Sequence, residues 1–139
     1  MIIVENFIKD LDEVLEFADS LPYYTCEEVP QAGRFKGLRT LNVAEMSELT
    51  EDIHDAIGKR PNSLYFHKHD GDPDWEPIVH RDKYDHAGVI YLRGARGCGT
   101  EVDGVVHEYK TGKLIQYNGN DLHRPEGFPI DRLVVTFFC

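Results

Sequence analysis

The run RLVVTFFC occupies positions 132–139 and predicts a buried β-strand, because β-branched and aromatic residues fill it. Side chains alternate between the two faces of a strand. One face would carry Arg132, Val134, Thr136 and Phe138, and the other would carry Leu133, Val135 and Phe137. The first face begins with a charged side chain in largely apolar surroundings, which makes Arg132 a candidate functional residue.

Further strands are predicted upstream of this run, after Pro61. Short stretches rich in β-branched and aromatic residues alternate there with Gly, Pro, Asp and Asn, and they predict strands at 63–68, 77–82, 87–93, 99–106, 113–118 and 131–138. The acidic segment 69–76 is predicted to be a surface loop near the mouth of the binding pocket. Short strands at regular spacing, separated by turn residues, are typical of all-β sandwiches and barrels.

Two helices are predicted before these strands. Asp10 followed by Glu13 has the D-x-x-E spacing of a capping box, and apolar residues then recur at helical spacing up to Pro22. A second helix is predicted over 44–57, with Gly58 as its stop signal. Two helices that precede such a block would cover the outer face of one sheet. The sequence therefore predicts a mainly β fold, a jelly roll flanked by helices.

Length and composition are those of one ordinary globular domain, predicted to span 1–139. Hydrophobic residues make up 41% of the chain and charged residues 29%, which argues against disorder. No apolar run approaches the ~20 residues that are needed to span a bilayer. The stretch MIIVENFIKD lacks a basic region followed by an apolar core, so it predicts a first strand and not a secretion signal.

Cysteine usage and net charge predict the cellular location and the classes of partner that the chain binds. Cys26, Cys98 and Cys139 are odd in number and far apart, which predicts free thiols in a reducing compartment and hence a cytoplasmic location. The formal net charge of −10 argues against general binding to DNA or RNA. Two local basic clusters, one at 34–39 and one at 68–83, are interpreted as scattered surface charge.

Two histidines and one aspartate form a candidate metal site. His80 and Asp82 lie two residues apart in a predicted strand, so both side chains project from one face. His123 lies at the end of another predicted strand, after a Gly-Asn-Asp turn. Two imidazoles and one carboxylate on one face of an octahedron, with the other positions open to cosubstrate and oxygen, are diagnostic of non-haem iron(II) oxygenases. His67 and His69 could form another ligand pair, but a core or surface position is the simpler interpretation.

Arg132 is a further candidate residue of this site, because its charged side chain needs a negatively charged partner. It follows His123 by nine positions and opens a strand whose other residues are mostly apolar. A buried guanidinium is costly unless it is paired, and its planar fork suits a carboxylate that binds in a bidentate manner. The partner could be an internal Asp or Glu, or equally the carboxylate of a dicarboxylate cosubstrate.

The order of His80, Asp82, His123 and Arg132 resembles the signature of the 2-oxoglutarate- and iron(II)-dependent oxygenases. The likeness is greatest to the prolyl-hydroxylase-like branch, with its small phage and bacterial members. It extends over most of the chain, through ENFIKDLDEVLEFADSLPYY, GRFKGLRT, VHRDKYDHAGVIYLRG, CGTEVDG and the stretch 113–139. The resemblance implies the double-stranded β-helix form of the jelly roll, a cupin-like barrel packed by the two N-terminal helices.

The resemblance also implies a role for each site residue. The Fe(II) ligands would be His80, Asp82 and His123. Arg132 would pair with the distal carboxylate of the cosubstrate 2-oxoglutarate, and the hydroxyl of Tyr91 would bind the same carboxylate. Thr136 would line the cosubstrate pocket. The Gly-Gly-Thr that is usual in this family appears here as Cys98-Gly99-Thr100, a small departure.

The implied function is a dioxygenase that hydroxylates a peptide, a protein side chain or a small molecule, with release of succinate and CO2. Two alternatives stay open. One is a cupin-like metalloenzyme that does not use 2-oxoglutarate, although cupins usually carry H-x-H with a downstream Glu. The other is a non-catalytic jelly roll used for binding. The motif leaves the substrate open, because specificity in this fold comes from loops around the barrel.

Overall fold

The computed structural model describes residues 1–30, 34–71, 76–127 and 131–139. Its elements follow in the order β1 Ile2–Val4, α1 Leu11–Ser20, β2 Leu38–Arg39, α2 Leu49–Ile57, β3 Ser63–His69, β4 Ala87–Arg93, β5 Thr100–Val102, β6 Val105–His107, β7 Leu114–Tyr117, β8 His123–Pro125 and β9 Arg132–Phe138. The predicted mainly β fold with two helices is confirmed. No helix in these ranges is long and apolar enough to span a membrane.

The strands form two antiparallel sheets. The larger sheet has six strands in the order β1-β7-β4-β9-β3-β2, and the smaller has three in the order β6-β5-β8. Strand β9 lies inside the larger sheet and pairs with β3 on one side and β4 on the other. The chain order of the strands differs from their spatial order, so distant parts of the sequence meet across β9.

The alternation predicted along β9 divides the core into two clusters. Leu133, Val135 and Phe137 belong to the first cluster, which also contains Phe17 of α1 and Ile53 of α2. Both helices therefore cover the outer face of the larger sheet, as predicted. The second cluster lies on the inner face and joins β9 to the smaller sheet, with members Ala87, Val89, Tyr91, Val102, Ile115, Tyr117 and Val134.

The helix ends follow local capping rules with one difference from the prediction. The side chain of Asp10 accepts a hydrogen bond from the backbone N–H of Glu13 at 3.1 Å, so α1 starts where the capping residue predicts. Helix α2 starts at Leu49, five residues later than predicted, because residues 44–46 form a turn. Gly58 ends α2 in the left-handed conformation, with φ 74°.

Three strand predictions were wrong in detail. Segment 77–82 forms no strand, and only His80 within it pairs, through a single bridge to His123. The predicted strand 99–106 is two strands, since Asp103 and Gly104 adopt φ values of 49° and 78° and turn the chain between β5 and β6. His123 begins β8 and does not end a strand. The middle of the acidic loop predicted at 69–76 lies outside the described residues.

Burial predicts how differently two isoleucines contribute to stability. Ile53 is 0% exposed in the core beneath α2, whereas Ile78 is 75% exposed. We expect Ile53→Ala to lower the free energy of unfolding by about 2–5 kcal/mol, because it leaves a cavity. The matched control Ile78→Ala should change it by no more than about 0.5 kcal/mol. Urea unfolding followed by circular dichroism measures both, and equal losses would contradict this division of the core.

Candidate metal centre and its cavity

A backbone bridge brings the two histidines of the candidate metal centre together. The N–H of His80 donates to the carbonyl of His123 at 2.9 Å, and the N–H of His123 donates back to the carbonyl of His80 at 2.9 Å. The two imidazole rings lie on the same side of this bridge, with their centroids 4.4 Å apart. Two residues that are 43 positions apart in the sequence thus become direct neighbours.

Asp82 completes the cluster because its backbone is tied to the loop before β8. Its N–H donates to the carbonyl of Gly119 at 2.7 Å. Its carboxylate oxygens lie 2.9 Å from Nε2 of His123 and 3.9 Å from Nε2 of His80. A Cβ atom on Gly119 would lie 2.6 Å from the carbonyl oxygen of Tyr84, so only glycine lets the two segments approach this closely.

The outer nitrogen of each imidazole is held by a backbone carbonyl. Nδ1 of His80 lies 2.9 Å from the carbonyl oxygen of Ile78, and Nδ1 of His123 lies 2.7 Å from that of Asp121. A neutral ring that donates from Nδ1 has its lone pair on Nε2. In that form both Nε2 atoms would face the cluster with a lone pair for a metal, and these carbonyls are the supporting contacts that sequence reasoning did not identify.

The three side chains suit a divalent first-row metal. One ligand atom from each of His80, Asp82 and His123 lies within 4.8 Å of the other two. Two imidazole nitrogens and one carboxylate, all from one side, are a donor set used for non-haem iron(II). Burial lowers the pKa of His123, but its hydrogen bonds to the carboxylate of Asp82 and the carbonyl of Asp121, together with the charges of these two residues, outweigh burial and leave the pKa raised. The hydrogen bond to Asp82 needs a proton on Nε2 of His123, and a metal cation bound at this atom would take the place of that proton.

The cluster opens into a cavity of about 930 Å³ between the two sheets. Arg132 and Thr136 line this cavity as well, so the structure brings five of the six predicted site residues to one space. Arg132 is buried, and its Nε donates to the carbonyl of Cys98 at 3.1 Å. One of its terminal nitrogens lies 3.4 Å from Nδ1 of His69. Burial lowers the pKa of Arg132, yet a guanidinium stays charged at neutral pH.

Tyr91, the sixth predicted residue, lies behind the cavity wall. It is fully buried, and its hydroxyl lies 2.7 Å from Oγ1 of Thr100, which does line the cavity. Burial raises the pKa of Tyr91 to about 12, so the hydroxyl keeps its proton. A direct contact between Tyr91 and a cosubstrate stays a prediction.

Tyr117 and Thr100 are among the polar residues of the cavity that sequence reasoning did not assign to it. Tyr117 lines it with its ring centroid 4.9 Å from that of His123, and burial raises the pKa of its hydroxyl. Thr100 lines the wall in front of Tyr91. Tyr117 shares a face with Ile115 on a strand that reads as plain core, so alternation alone carried no signal for it.

His67 and His69 also line this cavity, as neighbours on one face of β3. Their ring centroids lie 4.1 Å apart. Burial lowers the pKa of His67 to about 3 and that of His69 to about 2, where the neighbouring His67 and Arg132 add to the effect of burial. Both rings are neutral at physiological pH. The earlier interpretation of this pair as core or surface side chains underestimated them, since they form part of the cavity wall.

Comparisons with solved structures identify the fold. A viral collagen prolyl hydroxylase from Paramecium bursaria Chlorella virus-1 matches with TM-score 0.64 and 14% identity, over 99% of this chain and 87% of its own. A 2OG-Fe(II) oxygenase family protein from Burkholderia pseudomallei matches with TM-score 0.64 and 14% identity, over 92% and 76%. A prolyl-4-hydroxylase from Pseudomonas putida matches with TM-score 0.56 and 18% identity, over 99% and 85%.

These matches show that the chain has the fold of 2-oxoglutarate oxygenases, the predicted double-stranded β-helix. No family model matches the sequence, and no curated protein does so. At such low identity the likeness concerns the fold alone. The cluster of His80, Asp82 and His123 is consistent with the iron site of enzymes built on this fold.

Removing the carboxylate of the cluster should abolish tight metal binding. We expect Asp82→Ala to weaken the binding of manganese(II), measured by electron paramagnetic resonance, by about a hundredfold, since one of three ligands is lost. Asp55→Ala removes an exposed carboxylate from α2 and serves as the control. Equal metal affinity in the two variants would exclude Asp82 as a ligand.

The lowered pKa values of His67 and His69 predict how the stability of the fold depends on pH. Their folded pKa values lie below the ordinary value of about 6.5, so the unfolded chain takes up these protons first. Stability is therefore fully present above about pH 6.5 and falls as pH decreases towards 3, by about 1.4 kcal/mol per pH unit for each ring. Between pH 6 and 4, His69→Gln should lower this dependence by about 1.4 kcal/mol per pH unit, the contribution of one ring, whereas the exposed control Ile78→Ala, which removes no titratable group, should leave it unchanged. An unchanged slope in His69→Gln would contradict the buried neutral state.

Proposed function

We propose that this chain is a 2-oxoglutarate- and Fe(II)-dependent dioxygenase that hydroxylates a peptide, a protein side chain or a small molecule, releasing succinate and CO2. The observation that carries the proposal is that His80, Asp82 and His123 share one cavity with a buried arginine, Arg132. The fold around that cavity matches solved 2OG-Fe(II) oxygenases, which supports the assignment.

His80, Asp82 and His123 would hold the iron through two Nε2 atoms and one carboxylate. Bound iron(II) supplies the redox chemistry that activates oxygen with 2-oxoglutarate. The protein contributes position, because the carbonyls of Ile78 and Asp121 fix the two rings before any metal enters.

Arg132 would bind the distal carboxylate of 2-oxoglutarate. Its guanidinium is buried and held by the carbonyl of Cys98, so little side-chain freedom is lost when an anion binds. A charge-assisted, bidentate contact to a buried guanidinium is strong and directional. Thr136 lies on the same face of β9 and would line the cosubstrate between this arginine and the metal.

Apolar side chains on the inner face of the larger sheet form part of the cavity wall. Val89 and Val134 are two of them, and they would help to exclude water once cosubstrate and substrate are bound. Excluding water strengthens each electrostatic contact inside the cavity. His80 is the exposed ligand, with a side chain that is 45% accessible against 4% for His123, so the substrate would approach from the side of His80.

Cysteine usage and net charge bear on the location and the partners of the proposed enzyme. Three free cysteines fit an enzyme of a reducing compartment such as the cytoplasm. The formal net charge of −10 disfavours a nucleic-acid substrate. The partners are therefore a small-molecule cosubstrate and a peptide, protein or small-molecule substrate.

Arg132 distinguishes an enzyme that uses 2-oxoglutarate from a metalloenzyme that does not. We expect Arg132→Gln to raise the dissociation constant for 2-oxoglutarate by at least about a hundredfold, because it removes a charge-assisted bidentate contact. Calorimetry on the manganese-loaded chain measures this binding, and succinate formation from 2-oxoglutarate measures turnover.

The control for this prediction is Arg60→Gln, which removes an exposed arginine that is ion-paired with Glu51 on α2. It should bind 2-oxoglutarate like the wild type. If Arg132→Gln binds 2-oxoglutarate as tightly as the control does, the assignment of Arg132 is wrong.

A further inference from the structure

We infer that Arg124 is a positioning residue of the candidate metal centre, because it holds the segment 77–80 that carries the ligand His80. The inference rests on the proposed function, since it concerns the metal of the same site. Three observations carry it: the small amount of regular structure around His80, the hydrogen bond from Arg124 to this segment, and the carboxylate that holds Arg124 itself.

His80 has less support from regular structure than His123. His123 begins β8 and its side chain is 4% accessible, whereas His80 lies outside the named strands and its side chain is 45% accessible. A ligand on irregular backbone is placed less precisely than one on a strand, unless further contacts hold its segment. The position of His80 therefore depends on what holds the segment 77–80.

Two contacts of His80 fix it only in part. The carbonyl of Ile78 orients the imidazole ring, but Ile78 belongs to the same segment and moves with it. The backbone bridge to His123 attaches the segment to β8 at its last residue. A contact from outside is needed at the other end, where the segment begins.

Arg124 supplies this contact. It directly follows His123 on β8, and its Nη1 donates to the carbonyl of Pro77 at 3.4 Å. The same nitrogen lies 3.9 Å from the exposed carboxylate of Glu76, the residue before Pro77. The segment 77–80 is thus attached to β8 at both ends, through the bridge at its last residue and through the guanidinium at its first.

A carboxylate on the neighbouring strand fixes the guanidinium of Arg124. Its Nε donates to Oε2 of Glu101 at 3.0 Å and its Nη2 donates to Oε1 at 3.4 Å, the two-bond geometry that suits arginine and carboxylate. Glu101 lies directly opposite Arg124 in the register of β5 and β8. Arg124 therefore reaches Pro77 from a fixed position, with one nitrogen for the carbonyl and two for the carboxylate.

An ion pair with a purely structural role would serve the smaller sheet alone. Backbone hydrogen bonds already join β5 and β8, and ion pairs that are partly exposed contribute little to stability. The side chains of Arg124 and Glu101 are 30% and 22% accessible. The contact with Pro77 lies outside the sheet, so a structural role and a positioning role predict different effects on His80.

Hydrogen exchange of the metal-free chain, measured by NMR, tests whether Arg124 holds the segment. In Arg124→Gln, the backbone N–H of His80 should exchange faster than in the wild type. We expect this increase to exceed that of the N–H groups of β9 by about tenfold, because the segment loses one of its two attachments. A purely structural role would raise both sets of rates by the same factor.

The affinity for manganese(II), measured by electron paramagnetic resonance, tests the consequence for the metal centre. Arg124→Gln should weaken binding by about tenfold, and Arg124→Lys by less, because its ammonium keeps the charge but cannot reach both partners. Glu101→Gln should also weaken binding, since Arg124 then loses the charge that holds it. Pulsed measurements on the bound manganese should show weaker coupling to imidazole nitrogen in Arg124→Gln.

The matched control is Arg93→Gln, which removes an ion pair of similar geometry at the end of β4. Nε of Arg93 lies 2.9 Å from a carboxylate oxygen of Asp131. This variant should bind manganese(II) like the wild type. The midpoint of thermal unfolding checks that each variant folds, and Glu101→Gln carries the test if Arg124→Gln does not fold.

The inference is overturned if Arg124→Gln binds manganese(II) as tightly as the control does. It is also overturned if exchange at His80 rises no more than exchange in β9. If the wild-type chain binds neither manganese(II) nor 2-oxoglutarate, the proposed function fails. The exchange rates of the metal-free chain then decide on their own whether Arg124 holds the segment.

Discussion

Side-chain alternation along β9 joins the hydrophobic core to the cavity. The period of two that places Leu133, Val135 and Phe137 beneath the helices also directs Arg132 and Thr136 to the opposite face. A slip of one residue would exchange the two sets, placing a guanidinium under the helices. The packing of the core therefore fixes which way Arg132 faces.

The candidate metal centre depends on a second constraint, the backbone bridge between His80 and His123. Neither residue lies within a long strand, and the bridge is a single pair of hydrogen bonds beside the three-residue strand β8. The surrounding loops hold the ligands in place, through Gly119 for Asp82 and through two carbonyls for the imidazoles. The backbone around His80 and Asp82 is irregular, which lets their side chains converge with that of His123. In a regular strand, these side chains would stand beside one another on a flat surface.

Much of the fold could be predicted from sequence because it depends on local patterns. Strand β4 has the predicted bounds, and Asp10 caps α1 as its spacing indicates. Segment 77–82 was predicted to be a strand because apolar residues precede His80, yet Ile78 is exposed and its neighbours bond to a loop that is distant in sequence. Local propensity carries no information about such contacts.

The candidate site also has a part that could be predicted from the sequence and a part that could not. The candidate metal ligands and Arg132 could be selected from the sequence by their residue types and spacing, and the structure brings them to one cavity. The carbonyls that hold the imidazoles could not, because they depend on how distant loops pack together. The cluster at 34–39 looks like surface charge until β2 pairs with β3 and brings it to the cavity.

The central claim is that one cavity holds both a metal and 2-oxoglutarate. A crystal structure of the chain grown without oxygen, with iron(II) and 2-oxoglutarate, tests it most directly. The account predicts one iron bound by His80, Asp82 and His123, with the distal carboxylate of 2-oxoglutarate on Arg132. Iron at another position, or 2-oxoglutarate bound away from Arg132, would contradict it.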